Sequence, residues 1–229
     1  MRQQFHRAIA GTIFFILCLV VCLLLFLHFV LFSISVRTYS MEPDTRPGQL
    51  LFVSPLFSME PRLTFLELKR GDMILAQPRI GKRPPLPGRI LAGIAAFFTA
   101  QKATLFAPDS PNTETPILAR LLGVPGDTIY MENYVLHIRP AGAEHFLTEF
   151  ELVEQDYNIQ VTALPKNWDN TLAVAGAFPP VTLEADRYFL LCDNRTCSVD
   201  SRIFGPMGEA HFKGKAVLRY FPFDAFTFF

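Results

Sequence analysis

Residues 117–138 read ILARLLGVPGDTIYMENYVLHI, and this stretch gives the strongest indication of the fold. The apolar run Ile117–Val124 is followed by Pro125-Gly126, a pair that favours a tight turn. The next run, Asp127–Ile138, is rich in β-branched and aromatic residues, and Glu132–Asn133 within it is the predicted hairpin turn. The segment therefore predicts a strand, a turn and a β-hairpin.

Short runs of the same kind, separated by Gly and Pro, occur on both sides of this stretch. They are Gln49–Pro55, Gly71–Gln77, Arg187–Asp193 and Lys215–Phe221. The chain contains 18 Pro, and many short strands between turns are typical of a mostly-β body. Gln155–Pro180 lacks the pattern and is interpreted as an irregular insertion with room for a short helix.

The N-terminal region is a long apolar run, IAGTIFFILCLVVCLLLFLHFVLFSISV, from Ile9 to Val36. A bilayer core about 30 Å thick needs about 20 helical residues, so the run is long enough to span it. A cleaved signal peptide has a shorter apolar core of about 7–15 residues. We therefore predict one retained transmembrane helix at 9–36. Because basic residues are more frequent before the run than after it, residues 1–8 are expected in the cytoplasm and residues 37–229 outside it.

The composition argues against two classes of function. Lys and Arg number 21, as do Asp and Glu, so the formal net charge is zero, whereas a nucleic-acid-binding protein normally carries a basic excess. The 4 Cys show neither a CxxC motif nor the Cys/His spacing of a metal site. We expect no nucleic-acid partner, no metal and no cofactor. Cys192 and Cys197 either form a disulfide in an oxidising compartment or remain two thiols.

The stretch 79–116 fits no strand pattern and is interpreted as an insertion. It begins basic and Pro-rich, becomes apolar at Ile90–Ala100, and ends in a polar loop. The apolar part is too short to span a bilayer as a helix. It is either a helix lying in the membrane interface beside its basic flank or a short helix packed on the β body.

Four short motifs follow the apolar run in a fixed order. They are Ser40-Met41-Glu42-Pro43, Arg70-Gly71-Asp72, Arg120-Leu-Leu-Gly-Val-Pro-Gly-Asp127 and Asp193-Asn194-Arg195-Thr-Cys-Ser198-Val-Asp200-Ser-Arg202. In residue type and order they resemble the conserved boxes of type I signal peptidases, over about 37–79, 117–138 and 184–220. The resemblance implies a single-pass protein of the bacterial inner membrane with a β-rich catalytic domain on the periplasmic side. Such a protein cleaves signal peptides from exported preproteins after a small residue.

The resemblance also implies a role for each matched residue. Ser40 would attack the scissile carbonyl, and Thr38 with the Ser40 N–H would hold the developing oxyanion. The alternative interpretation of Ser40 is a turn residue before Pro43. Ser198 would orient the general base. The remaining supporting and substrate-contacting positions are Asp200, Arg202, Asp193, Arg195, Leu118 and Met41.

One catalytic position departs from the family pattern. The family places its general-base Lys immediately before the Arg of the third motif, and here that position is Ala119, which has no titratable group. Arg120 cannot replace the Lys because its guanidinium stays protonated. Lys102 is the nearest Lys upstream. A second departure is Cys192, which stands where the family has Gly.

These departures leave two hypotheses of function. The first is an active serine endopeptidase whose base comes from elsewhere, such as Lys102. The second is a catalytically inactive relative that binds signal peptides or an active paralogue. A self-cleaving repressor domain is disfavoured by the long apolar run and by the lack of a DNA-binding segment. The expected partners are signal peptides, membrane lipid and, in the second hypothesis, the paralogue.

Overall fold

The computed structural model describes residues 11–23, 30–56, 67–78, 116–161, 176–196 and 199–229. Within these ranges most of the regular structure is β-strand, which confirms the predicted β-rich body. The predicted insertion at 79–116, apart from its last residue, lies outside the described residues. The same is true of Lys102, Cys197 and Ser198.

The larger of two antiparallel sheets has seven strands. They are β1 (Phe32–Ser35), β2 (Leu50–Ser54), β3 (Met73–Ala76), β4 (Ile117–Gly123), β9 (Phe189–Leu191), β10 (Phe212–Phe221) and β11 (Thr227–Phe228). Their order in the sheet is β1-β2-β10-β3-β4-β9, and β11 pairs with β10. The chain therefore enters the sheet at one edge strand, β1, and β9 forms the opposite edge.

The smaller sheet has four strands and is inserted between β4 and β9. They are β5 (Thr128–Glu132), β6 (Val135–Arg139), β7 (Leu147–Thr148) and β8 (Phe178–Thr182). Their order is β7-β6-β5-β8. The β-rich body also has two short α-helices, α1 (Glu149–Leu152) and α2 (Ser201–Phe204), and two 3₁₀ turns, Glu209–His211 and Phe223–Ala225.

Strand β4 contributes to the cores of both sheets. Its residues Leu118, Ala119 and Leu121 pack in the core of the larger sheet, and Leu122 packs in the core of the smaller one. Every residue of β4 after Ile117 is buried. Because a fully buried Leu contributes about 1.5–3 kcal/mol, this run of apolar residues fixes β4 firmly in place.

The predicted strands are found, and their ends differ by a few residues. The hairpin turn lies one residue later than expected, since Glu132 pairs with Val135. Asn133 and Tyr134 form the turn with φ of 50° and 66°, the geometry of a type I′ turn. The irregular insertion predicted at Gln155–Pro180 is wrong at its end, because β8 begins at Phe178.

The N-terminal apolar run is only partly helical in the described residues. Residues 11–23 are helical. Among the described residues, no helix is both long and apolar enough to cross a membrane. The predicted helix boundary at Val36 is wrong, because Phe32–Ser35 form β1 and pair with β2. Without this pairing, the backbone of β2 would be left as an open sheet edge.

Gly71 offers a test of how closely the Arg-Gly-Asp turn is packed. Its φ is +94°, and a Cβ added there would lie 2.5 Å from Val153 Cγ1. Gly142 has a similar φ of +82° with nothing within 4 Å of the added atom. We expect Gly142→Ala to cost about 1 kcal/mol of backbone strain, and Gly71→Ala to cost about 1–3 kcal/mol more because of the overlap.

Chemical denaturation of the two variants measures this difference. Equal losses of unfolding free energy would mean that Val153 moves aside without cost.

Candidate active site

Ser40 lies in a loop between β1 and β2 that is closed at its base. The Val36 N–H donates to the Gln49 carbonyl oxygen at 2.9 Å, and the Gly48 N–H donates to the Val36 carbonyl oxygen at 2.8 Å. The side chain next to Ser40, Met41, is fully buried in the core of the larger sheet. The loop is therefore held by hydrogen bonds at its ends and by an apolar side chain at its middle, while Ser40 remains partly exposed.

The structure brings together two of the predicted site residues, Thr38 and Ser40. Their hydroxyl oxygens, Thr38 Oγ1 and Ser40 Oγ, are 2.9 Å apart. Thr38 is exposed and Ser40 is partly exposed, so both hydroxyls are accessible from solvent. A hydroxyl at this distance from a nucleophilic oxygen can donate a hydrogen bond to an oxyanion formed on the attacked carbon.

The segment that contains Asn194 lies against the Ser40 loop. The Asn194 N–H donates to the Ser40 carbonyl oxygen at 2.9 Å, and Asn194 Nδ2 donates to the Tyr39 carbonyl oxygen at 3.2 Å. On the other side, the Arg195 N–H donates to the Gln160 carbonyl oxygen at 2.8 Å. The backbone of the last motif is thus held between Ser40 and Gln160.

Arg120 joins β4 to this segment through a buried ion pair. Its Nε donates to Asp193 Oδ1 at 2.9 Å and its Nη2 to Asp193 Oδ2 at 2.6 Å. Further acceptors are the Gly71 carbonyl oxygen at 2.8 Å and Asp44 Oδ2 at 3.0 Å. The guanidinium also lies 4.1 Å from the centre of the Tyr157 ring.

The charge state of Arg120 follows from these contacts. Burial alone would lower its pKa, but the hydrogen bonds and the negative charge of Asp193 raise the pKa above its ordinary value. Burial raises the pKa of Asp193, and Arg120 opposes that rise. Arg120 therefore remains a cation and cannot act as the general base, as the sequence predicts.

Arg195 is the centre of a second buried network. Its Nη2 lies 2.5 Å from Glu149 Oε2, and the other Glu149 oxygen accepts the Leu136 N–H at 2.9 Å. The Tyr157 hydroxyl also donates to Glu149 Oε2. Burial, and next the charge of Glu149, raise the pKa of Tyr157, so the hydroxyl stays neutral and keeps its proton. Sequence reasoning missed Glu149 and Tyr157, which belong to no motif.

Asp200 and Arg202 form the predicted ion pair, which is buried. Arg202 Nη2 donates to Asp200 Oδ2 at 2.7 Å and Arg202 Nε to Asp200 Oδ1 at 2.9 Å. Asp200 Oδ2 also accepts the Cys192 N–H at 3.1 Å. Arg202 Nη1 donates to the Arg195 carbonyl oxygen at 2.8 Å. The pair therefore supports the Asn194 segment from behind.

Ala119 lies fully buried at the position where the resemblance places a Lys. It pairs with Ile74 of β3. On the opposite side of β4, Arg120 pairs with Leu191 of β9. Continuing this register by one residue places Cys192 beside Ala119. Cys192 is a buried thiol. Residue 119 and these neighbours provide no side chain that could serve as the missing amine.

The predicted substrate-contacting residues, Met41 and Leu118, are both buried in the core of the larger sheet. Strand β9 pairs with β4 only from Arg120 onward. Within the described strands, Ile117–Ala119 therefore pair with β3 alone, and the Cys192 thiol donates to the Leu118 carbonyl oxygen at 3.6 Å.

Lys215 shares a cross-strand row with Ala119 but is engaged elsewhere. It pairs with Ile74, which in turn pairs with Ala119. Its Nζ lies 2.9 Å from Asp72 Oδ2 and 3.1 Å from the Glu67 carbonyl oxygen. Burial raises the pKa of Asp72, and Lys215 opposes that rise. The Lys215 side-chain nitrogen is therefore held by these two oxygens of the Arg-Gly-Asp region.

The two carboxylates on Arg120 should differ sharply in their importance for stability. The Asp193 side chain is fully buried, and that of Asp44 is 33% exposed. Removing one partner of a buried ion pair costs about 3–5 kcal/mol, whereas exposed pairs contribute about 0–1 kcal/mol. We therefore expect Asp193→Asn to lower the unfolding free energy by several kcal/mol and Asp44→Asn by about 1 kcal/mol or less. Urea titration checks both, and similar losses would show that Arg120 is satisfied without Asp193.

Comparisons with known proteins agree with the motifs. The family described as "Signal peptidase, peptidase S26" matches residues 7–221. Signal peptidase I T of Bacillus subtilis (strain 168) is 25% identical over 203 residues, which are 88% of this chain and 79% of that protein. Signal peptidase I of Bacillus licheniformis is 25% identical over 211 residues, 91% of this chain and 87% of that protein.

Among solved structures, a signal peptidase I from Enterococcus faecalis V583 is 22% identical, with a TM-score of 0.35, and the match covers 65% of this chain and 96% of that one. The family match spans nearly the whole chain and includes all four motifs. This chain therefore belongs to the signal peptidase family, peptidase S26.

Proposed function

We propose that this chain is a membrane serine endopeptidase of the signal peptidase I type, with Ser40 as its nucleophile. It cleaves signal peptides from exported preproteins after small residues. The observation that carries the proposal is the 2.9 Å contact between the Thr38 and Ser40 hydroxyl oxygens, in a loop fixed at both ends. A protein without catalytic activity would have no chemical need for this pair.

The substrate would bind as an additional strand along the open edge of β4. An extended peptide can pair with the backbone of Ile117 and, by displacing the weak contact between the Cys192 thiol and the Leu118 carbonyl oxygen, with that of Leu118. Leu118 would contribute to the apolar floor under the substrate and favour small side chains, and the fully buried Met41 would support that floor from the core. Ser40 Oγ then attacks the scissile carbonyl, and the oxyanion accepts hydrogen bonds from Thr38 Oγ1 and the Ser40 N–H.

The proton of Ser40 needs an acceptor other than residue 119. We propose that the base comes from a residue distant in sequence, with Lys102 as the first candidate because it is the nearest Lys upstream. Ser198 would orient that base. Asp193, Arg195, Asp200 and Arg202 would hold the surrounding backbone in position.

A second candidate function is supported by the surroundings of Ala119. The position is fully buried, with the Cys192 thiol beside it in the sheet. A family member without a base can still bind an extended peptide, because strand addition needs only backbone groups and pockets. The alternative is thus an inactive relative that binds signal peptides or associates with an active paralogue.

We propose that residues 9–31 anchor the protein in the bacterial inner membrane, with residues 1–8 in the cytoplasm and the β-rich body on the periplasmic side. The support lies in the helical residues 11–23, whose large apolar side chains are exposed, including Phe14 at 67% and Phe15 at 68%. Exposed apolar surface of this kind is stabilised by lipid. Membrane lipid is then a partner of the chain, and signal peptides reach the site from the same membrane.

Cleavage of a preprotein by the full chain in detergent tests the proposed activity. We expect the wild type to release the mature protein and Ser40→Ala to abolish release, because the nucleophile is lost. Ser35→Ala, which removes a neighbouring hydroxyl from β1, is the matched control and should keep activity. Signal-peptide cleavage that depends on Ser40 would contradict the inactive alternative.

The opposite outcome separates the two candidates further. The wild type is compared with Ala119→Lys, made with and without Cys192→Gly to provide room for the longer side chain. If the wild type is inactive and either variant gains Ser40-dependent cleavage, the proposed activity is wrong and the inactive alternative holds. If the wild type is active, unchanged turnover in Lys102→Ala excludes Lys102 as the base.

Thr38 should contribute to turnover through its hydroxyl alone. Loss of one oxyanion donor costs about 10²–10³-fold in kcat. We therefore expect Thr38→Val to lower kcat by about this factor with little change in KM, and Thr38→Ser to retain most of the activity. Steady-state kinetics on a peptide substrate measure both, and equal rates for Thr38→Val and wild type would remove Thr38 from the oxyanion site.

A further inference from the structure

Asn194 holds the peptide groups on both sides of Ser40. Its backbone N–H donates to the Ser40 carbonyl oxygen at 2.9 Å, and its side-chain Nδ2 donates to the Tyr39 carbonyl oxygen at 3.2 Å. Asn194 is itself buried, with 4% of its surface exposed. The Tyr39 carbonyl oxygen also accepts the Glu42 N–H at 3.2 Å, so Asn194 acts together with the turn of the loop itself.

The contact with Tyr39 has a stereochemical consequence for Ser40. The Tyr39–Ser40 peptide bond is trans, and in a trans peptide the C=O and the following N–H point in opposite directions. Because Asn194 Nδ2 and the Glu42 N–H both hold the Tyr39 carbonyl oxygen, the Ser40 N–H points away from Asn194. The second contact, from the Asn194 N–H to the Ser40 carbonyl oxygen, prevents the peptide planes before and after Ser40 from rotating together.

Asn194 can fix this direction only if its own position is fixed. The residue before it, Asp193, is bound by Arg120 at two points. The residue after it, Arg195, is bound through its guanidinium by Glu149 and through its carbonyl oxygen by Arg202. Charged hydrogen bonds therefore hold both neighbours, and a donor that is held in place before reaction needs no reorganisation during it.

We propose that Asn194 is a positioning residue that aims the Ser40 N–H at the oxyanion. It does not touch the substrate, and it acts through the Tyr39–Ser40 peptide. The inference rests on the proposed role of Ser40 as the nucleophile, and it adds the residue that sets the direction of the donor.

Two variants and one matched control test the proposal. Asn194→Ala removes the side-chain donor and keeps the backbone N–H, and Asn194→Asp keeps the shape but replaces the donor by an acceptor. Asn158→Asp makes the same chemical change at an exposed position. With full-length protein in detergent, we expect kcat to fall about 10–100-fold in both Asn194 variants, with KM within about twofold of wild type. Asn158→Asp should match wild type.

A second measurement reports the direction of the peptide without requiring turnover. In full-length protein labelled with ¹⁵N-serine, the Ser40 amide resonance is assigned by its loss in Ser40→Ala. A hydrogen bond to the Tyr39 carbonyl polarises the Tyr39–Ser40 peptide, so we expect Asn194→Ala and Asn194→Asp to shift the Ser40 resonance. The Ser33 and Ser35 resonances of β1 should stay in place.

The outcomes are distinguishable from those of the proposed function. A Ser40 resonance that does not move in either variant overturns the positioning role, whether or not the wild type cleaves. A resonance that moves while kcat stays within twofold of an active wild type also overturns it. If the wild type shows no turnover, the proposed activity fails, and the resonance alone decides whether Asn194 positions the Ser40 peptide.

Discussion

The two-point ion pair between Arg120 and Asp193 is the interaction on which the arrangement of the site depends. Arg120 belongs to β4, the strand shared by both cores, and Asp193 follows β9 at the edge of the larger sheet. The pair fixes the chain that leaves β9, and that chain carries Asn194 to the Ser40 loop. Three parts of the sequence, which supply the Ser40 loop, the strand β4 and the last motif, meet through this contact.

Burial of two charges is normally unfavourable, and this pair is compensated in an identifiable way. The desolvation free energy of each buried ion must be offset by favourable ion-pair geometry and by further hydrogen bonds. The guanidinium has four oxygen contacts, to Asp193 twice, to Asp44 and to Gly71, and the Tyr157 ring covers one face. The same ring carries the hydroxyl that binds Glu149, so the two buried networks share Tyr157.

Most of the strands were predictable because the sequence pattern that indicates each strand lies within the strand and its flanking residues. Runs such as Ile117–Val124 are apolar, are bounded by Gly and Pro, and form strands in the structure. Phe32–Ser35 were misassigned because an apolar run is compatible with a helix as well as with an edge strand, and only the partner β2 decides between them. The turn at Asn133–Tyr134 shows the same limit, since pairing across the hairpin sets its register. Within the site, the motifs identified Asp193, Asp200 and Arg202, but Glu149 and Tyr157 are brought in by the fold of the smaller sheet.

Strand β1 has a geometrical consequence for any substrate. The chain from Phe32 to Ser40 can extend by at most about 28 Å, and β1 is fixed to β2 while the loop is closed between Val36 and Gln49. With residues 9–31 in the bilayer as proposed, the height of the serine above the lipid surface is set by the protein alone. The site would then lie at a fixed distance from the membrane surface. The peptide bond that is cut would be selected by its distance from the apolar segment of the substrate.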